Sequence, residues 1–177
     1  MTSRIRLISV TAAVLLTPAL PASQDVGTVI EFSPQVTVQL QRYGDDEAAT
    51  LRAAINTALA RATGGVALPE GARITVTLQD VAPTHPTRKQ LSDDPAQDIA
   101  RTKFLGGAEL AGSVQDASKH VVASVSYRHF APTLGLGSAS LDPWADARLA
   151  IDQFALKLAA ACRARPPQPA AHSGDAP

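Results

Sequence analysis

Residues 73–81 read RITVTLQDV, and from Arg73 to Gln79 the polar and apolar side chains of this run alternate strictly. Ile74, Val76 and Leu78 fall on one side of an extended chain, and Thr and Gln side chains fall on the other. This alternation predicts a β-strand with one buried and one solvated face, as in an antiparallel sheet that is covered on one side only.

Two further alternating runs lie downstream, at residues 109–116 and 120–130, and the polar turn Asp116-Ala117-Ser118-Lys119 separates them. So short a polar turn between two alternating runs predicts a β-hairpin. The apolar side chains of its two arms are expected to face the core: Leu110, Val114, Val121, Ala123, Val125 and Tyr127.

Upstream of this region, residues 29–40 contain two short apolar runs, VIEF and VTVQL, on either side of Ser33-Pro34. Proline has no N–H to donate to a β-ladder, so it is excluded from central strand positions. The pattern therefore predicts one strand that ends at Pro34 and a second strand after it.

Two segments have helical spacing. The first follows Asp45-Asp46-Glu47, whose carboxylates suit a helix N-terminus, and it ends at Gly64-Gly65. The second follows Asp142-Pro143, with Asp142 as the predicted cap and Pro143 in the first turn. Trp144 is expected to anchor this helix in the core. The stripe residues of the two predicted helices are Leu51, Ile55, Leu59 and Ala62, and then Trp144, Ala147, Ile151, either Phe154 or Ala155, Leu158 and Cys162.

Together these elements predict an α+β fold. The simplest arrangement is a two-layer sandwich, in which an antiparallel-dominated sheet of four to five strands carries two helices on one face. The other face of the sheet, with Thr, Gln, Ser and Arg side chains, is then solvated or available to a partner.

The N-terminus has the features of an export signal. Arg4 and Arg6 precede the uncharged run LISVTAAVLL at residues 7–16, and small residues with two prolines follow. This pattern is typical of a secretory signal peptide cleaved near Ala22. The apolar run is too short for a transmembrane helix, which needs about 20 apolar residues. We therefore expect a signal peptide at 1–22, one α+β domain at 23–163 and a disordered tail at 164–177, in a periplasmic or secreted protein.

Charge limits the possible partners. Without residues 1–22 the chain loses two of its 16 basic residues and none of its 16 acidic ones, which leaves a side-chain charge of −2 with His neutral. That balance argues against nucleic acid as a partner, because nucleic-acid binding depends on a basic surface. Lone Cys162 excludes an internal disulfide framework, and we interpret it as a buried, inert thiol.

Motifs for catalysis, metals or cofactors do not stand out. Gly135-Leu136-Gly137-Ser138 lacks the spacing of a nucleophile elbow and of the known phosphate-binding loops. His120 and His129 would lie roughly 30 Å apart on one strand, so they cannot share a metal within one chain. We predict no catalytic residue, no metal ligand and no cofactor, although a chance approach of His85 and His129 stays open.

Residues 82–104, APTHPTRKQLSDDPAQDIARTKF, separate two strands that a short turn could have joined. Loops of this length are uncommon and often functional, and we refer to this one as the excursion. It is interpreted either as a solvated crossover that carries a surface helix, with Asp94-Pro95 at the start of one or two helical turns, or as a recognition loop. In the second case its cations would meet a carboxylate, a phosphate or an acidic protein surface. The predicted partner-binding residues are His85, Arg88, Lys89, Arg101 and Lys103.

The leading functional hypothesis from the sequence is a non-enzymatic binding or adaptor domain of the bacterial envelope. Its partner would be another envelope protein or an anionic ligand. The alternatives are a small secreted hydrolase, with polar residues from 82–104 and 129–138, and an inhibitor or immunity-type partner protein. A deep pocket lined by His85, His129 or Asp80 would favour the hydrolase, whereas an exposed sheet edge or face would favour the adaptor.

Overall fold

The computed structural model describes residues 27–99, 101–132 and 141–164. Within these ranges the chain forms four strands and four helices. Their order is β1 (Gly27–Phe32), α1 (Pro34–Tyr43), α2 (Glu47–Thr63), β2 (Arg73–Ala82), α3 (Arg88–Asp93), β3 (Gly107–Gln115), β4 (Val121–Phe130) and α4 (Ala145–Arg163).

The four strands form one mixed sheet in the order β1-β2-β3-β4. β1 runs parallel to β2, and the two following pairs are antiparallel. The α+β class is confirmed. The prediction of two helices is too low, because the described residues contain four.

The predicted strand at VTVQL is wrong, because these residues lie in helix α1. Ser33 caps the helix, since its Oγ accepts a hydrogen bond from the Val36 N–H. Pro34 occupies the first turn, where its missing N–H removes no helical bond. Val36 and Leu40 are buried and Val38 is 53% exposed, so burial follows a helical spacing of four and not the alternation of a strand.

The two long helices confirm most of the predicted stripe residues, and Ala62 and Cys162 at their ends are only partly buried. α2 buries Leu51, Ile55 and Leu59, and α4 packs against β3, β4 and α2. α4 begins at Ala145, slightly later than predicted, and Asp142 Oδ1 accepts from the Trp144 N–H just before it. Trp144 is buried as expected.

The predicted hairpin is confirmed as β3 and β4, with one exception at its start. Ala123 is buried, but Val121 is 59% exposed. The pairing moves from Val114 opposite Ala123 to Gln115 opposite Val121, which leaves Val122 as an extra residue. This bulge reverses the side-chain alternation at the beginning of β4, so Val121 is turned away from the core.

Close contact between α4 and the sheet depends on one glycine. A Cβ at Gly112 in β3 would lie 2.7 Å from Cζ of Phe154 and 3.0 Å from the main-chain oxygen of Thr75. The missing side chain lets the buried Phe154 ring lie directly on β3, which fixes the separation between helix and sheet.

Among the described residues, no helix is long and apolar enough to cross a bilayer. The predicted signal peptide, most of the loop at 132–141 and the predicted tail beyond Ala164 lie outside the described residues.

Candidate binding groove beside helix α3

The structure divides the excursion into two parts with different environments. Residues 83–87 are all buried, whereas most of the residues that follow are exposed or partly exposed. The second part is accessible at the surface, and the first part is enclosed by the fold.

Thr84 joins the excursion to the start of α4. Its main-chain N–H donates to the carbonyl oxygen of Pro143 (2.6 Å), and its hydroxyl donates to Asp146 Oδ2 (2.9 Å). The same hydroxyl oxygen accepts from the Asp146 N–H (3.1 Å), and the Thr84 carbonyl accepts from the Phe104 N–H. The beginning and the end of the excursion are therefore held together at one point beside α4.

His85 lies inside the excursion. Its side chain is 1% exposed, and Nδ1 lies 2.9 Å from the Ile99 carbonyl oxygen and 3.2 Å from that of Thr102. An Nδ1–H that donates to these oxygens ties the exposed part of the excursion to the buried part. Nε2 is buried without a hydrogen-bond partner. The structure thus gives His85 an internal position, and it does not present the ring to a surface ligand.

Helix α3 begins with a reciprocal capping box. The Thr87 hydroxyl accepts from the Gln90 N–H, and the Gln90 side chain accepts from the Thr87 N–H (3.0 Å). The Thr87 hydroxyl also donates to the Tyr43 carbonyl oxygen at 2.6 Å, which attaches α3 to the end of α1. The short helix predicted after Asp94-Pro95 instead precedes these residues, because Thr87 satisfies the N-terminal N–H groups of α3.

These attachments create a groove of about 910 Å³ between α3, the turn at residues 43–47 and the start of α4. We call it the α3 groove. Its charged lining residues are Asp45, Asp46, Glu47, Asp93 and Asp142, together with Arg88 and Lys89. The volume is within the range of ligand-binding clefts in proteins, and the groove carries both signs of charge.

Aromatic residues form the inner wall of the α3 groove. The rings of Tyr43 and Trp144 meet edge to face with centroids 5.5 Å apart, and Trp144 Nε1 donates to Glu47 Oε2. Burial raises the pKa of the Tyr43 hydroxyl, Asp80 raises it further, and Arg42 partly opposes both effects. The aromatic pair and the part-buried hydrogen bond join the end of α1, the start of α2 and the start of α4 along this wall.

The predicted partner-binding cations take different positions around this groove. Arg88 and Lys89 line it, and Arg101 and Lys103 belong to the segment that follows α3. Lys89 pairs with Asp93 (2.7 Å), and Arg101 lies 3.8 Å from Asp98. Arg88 is exposed and forms no ion pair with any described residue, which leaves its guanidinium available in the groove wall.

Acidic residues beside the groove do not all act as helix caps. Asp46 is the N-cap of α2 but makes no side-chain capping bond, and Asp45 and Asp46 are both exposed. Asp94, in contrast, accepts from the Ala96 N–H through Oδ1 and from the Gln97 side chain through Oδ2. Asp94 therefore holds a turn after the C-terminal end of α3 and caps no helix N-terminus, and the side chain of Asp46 makes no capping bond to α2.

The sequence missed Tyr43 and Glu47 as groove residues. The i+4 spacing from Val36 through Leu40 could have identified Tyr43, since it continues the α1 stripe by three positions. The Trp144–Glu47 bond spans 97 residues, so no local pattern could have indicated it.

A separate polar surface lies on the sheet. The side of the sheet opposite α4 carries small polar side chains, and a shallow depression of about 390 Å³ lies over them. We call this the open face, and its central residues are Thr75, Thr77, Ala111, Ser113, Ser124 and Ser126.

Histidine and cysteine positions bear on the predicted chemistry. Within residues 27–99, 101–132 and 141–164, no group of three His, Cys, Asp or Glu residues could hold a metal ion. His129 pairs across the ladder with Ala108, while the His85 ring is bonded to the excursion. Cys162 is partly buried, and this burial raises the pKa of its thiol against a smaller opposite effect of Arg163.

Comparison of the chain with protein-family models, with curated proteins and with solved structures gave no significant match.

Proposed function

We propose that this chain is an exported protein of the bacterial envelope that binds a partner through the α3 groove and catalyses no reaction. The supporting observation is the groove itself, which lies beside the buried part of the excursion and is lined by Arg88, a cation that forms no ion pair with a described residue. The proposed partner is a segment of another envelope protein or an anionic ligand.

Two contrasting walls support binding of a segment with mixed charge. Asp45 and Asp46 stand on one side of the groove, and Arg88 stands on the α3 side. A carboxylate or phosphate of the partner would accept hydrogen bonds from the Arg88 guanidinium. A cationic group of the same partner would lie near the 45–46 turn, so the groove would also impose an orientation.

Rigidity supports binding as the function of this region. Hydrogen bonds from Thr84, Thr87 and Trp144 join the elements on the three sides of the groove. A preformed site loses less conformational entropy when it binds than a mobile loop does. The proposed partner therefore meets a surface that is already in place.

The test is capture of envelope components by tagged protein after chemical crosslinking in cells. Arg88→Glu should abolish the captured species, because it places a negative charge where the partner's anion would bind. Arg73→Glu is the matched control, since Arg73 is also exposed and lies on the sheet, away from the groove. Equal capture by wild type and Arg88→Glu would disprove the proposed site.

Export is tested separately. Mass spectrometry of the protein recovered from the envelope should find its N-terminus between Leu20 and Gln24. Recovery of the chain with Met1 still attached would contradict the signal peptide.

A further inference from the structure

The two edge strands of the sheet, β1 and β4, differ in how well they are protected against pairing with another strand. β1 is six residues long, contains Glu31 and stops at Ser33-Pro34. Arg52 of α2 donates to the main-chain oxygen of Ile30, and its guanidinium lies 4.2 Å from the Phe32 ring centroid. A short strand, a charge, a proline and a covering side chain are the usual means by which proteins keep an edge from pairing.

The other edge strand, β4, has few of these features. It is ten residues long, and β3 is the only strand beside it in the described residues. Its first seven residues, VVASVSY at 121–127, contain no charge, no proline and no glycine. A stretch of this length and composition, with β-branched and aromatic residues, readily pairs with copies of itself.

We propose that β4 pairs antiparallel with β4 of a second copy, about a two-fold axis near Val125. In this register Val125 of the two copies face each other, and Ser124 lies opposite Ser126 of the partner copy. These pairs are uncharged and complementary in size, which favours cross-strand packing. The two four-stranded sheets then form one continuous eight-stranded sheet, and the open faces of both copies lie on the same side.

The placement of charges supports a second copy of the chain as the partner of the β4 edge. Arg128, the only formally charged residue among Val121–Phe130, pairs with Glu109 of its own β3 at 3.1 Å. In the proposed register Arg128 lies opposite Val122 of the partner copy, so the two Arg128 residues are six positions apart, roughly 20 Å. Like charges are thereby kept apart. A two-fold pairing also closes on itself, because it uses the β4 edge of both copies and leaves only the two protected β1 edges.

Sedimentation velocity of the purified full chain tests this inference. The wild type should sediment as a dimer that dissociates on dilution. Ser124→Lys/Ser126→Lys should be monomeric at the same concentrations, because both positions are exposed and would place four ammonium groups at the new interface. The matched control is Val29→Lys/Glu31→Lys, which puts the same pair on the same face of β1, and it should remain dimeric.

Crosslinking tests the register. In a Cys162→Ser background, a short bis-maleimide should link Ser124→Cys chains into dimers and should not link Ser113→Cys chains, since Ser113 lies on β3 with β2 and β4 on either side. Circular dichroism and thermal unfolding of each variant establish that it folds. A monomeric wild type at its highest soluble concentration would overturn the inference. A dimer that survives Ser124→Lys/Ser126→Lys, or a folded Ser124→Cys variant that gives no linked dimer, would also overturn it.

Discussion

The two parts of the excursion differ in what they do for the molecule. Residues 83–87 are buried and make hydrogen bonds to the start of α4, the end of α1 and the carbonyls of the later residues. The exposed part, from Arg88 to Lys103, carries its charged side chains at the surface or in surface ion pairs. One continuous polar stretch of sequence therefore contains two parts. We call residues 83–87 the anchor and residues 88–103 the presented surface.

This difference shows why charge alone is a poor guide to function in a long loop. His85 and Arg88 are three positions apart and both looked like ligand-binding residues. Burial separates them, because His85 holds the loop together while Arg88 lines the groove. The comparison gives distinct expectations for stability in one part and for binding in the other.

The largest expected effect on stability comes from Thr84→Val. This change removes the hydroxyl that both donates to and accepts from Asp146, and it leaves a partly buried carboxylate and N–H without their partner. We expect a loss of about 2–3 kcal/mol in the free energy of unfolding, measured by urea denaturation. Ser92→Ala, in the exposed part, should change it by less than about 0.5 kcal/mol. Equal losses in the two variants would mean that the anchor and the presented surface are not distinct.

A much smaller effect on stability is expected for Arg88→Glu/Arg101→Glu. Arg88 makes no ion pair with a described residue, and Arg101 approaches Asp98 only at 3.8 Å with its side chain 89% exposed. Surface charges of this kind contribute under about 1 kcal/mol, so thermal unfolding should be nearly unchanged while capture of the partner is lost. Arg52→Glu is the informative contrast, because Arg52 contacts Ile30 and Phe32 and should destabilise the fold more. A large drop in melting temperature for the double variant would show that these arginines hold the fold.

The smallest effect concerns Tyr43 at alkaline pH. Its pKa is higher in the folded than in the unfolded chain, chiefly through burial and also through Asp80. The folded state therefore holds this proton more tightly, and stability is lost as pH rises above the ordinary tyrosine pKa of about 10. Tyr43→Phe should reduce the loss of stability between neutral and alkaline pH, measured by denaturation at each pH. An unchanged pH dependence would mean that Tyr43 is not the titrating group.

Sequence patterns predicted the elements whose burial repeats locally. The alternation around Ile74 and the stripe through Leu51, Ile55 and Leu59 correspond to β2 and α2. The strand prediction for residues 36–40 failed because the sequence VTVQL fits both the two-residue period of a strand and the spacing of four of a helix. Only the exposure of Val38 separates the two structures. The parallel pairing of β1 with β2 likewise depends on α1 and α2 bringing the chain back across the sheet, which alternation within a strand does not encode.

The candidate site was predictable only in part. The mixed charge of the excursion identified Arg88 and Lys89 as candidate binding residues, and both line the α3 groove. The opposite walls come from Tyr43, Glu47 and Trp144. Thr87 of the excursion bonds to Tyr43, and Trp144 bonds to Glu47, so both contacts join distant parts of the chain. Since a groove is a property of packing between elements, periodicity within each element could not locate it.

Site-specific photocrosslinking from within the α3 groove is the decisive test of whether a partner binds there. A photoreactive amino acid at Ser92, an exposed groove residue of α3, should give one discrete adduct in cells. The same probe at Thr28, exposed on β1, should not give that adduct. We expect the Ser92 adduct to disappear with Arg88→Glu and to persist with Arg73→Glu. No adduct from Ser92, or an adduct of equal yield in both arginine variants, would contradict it.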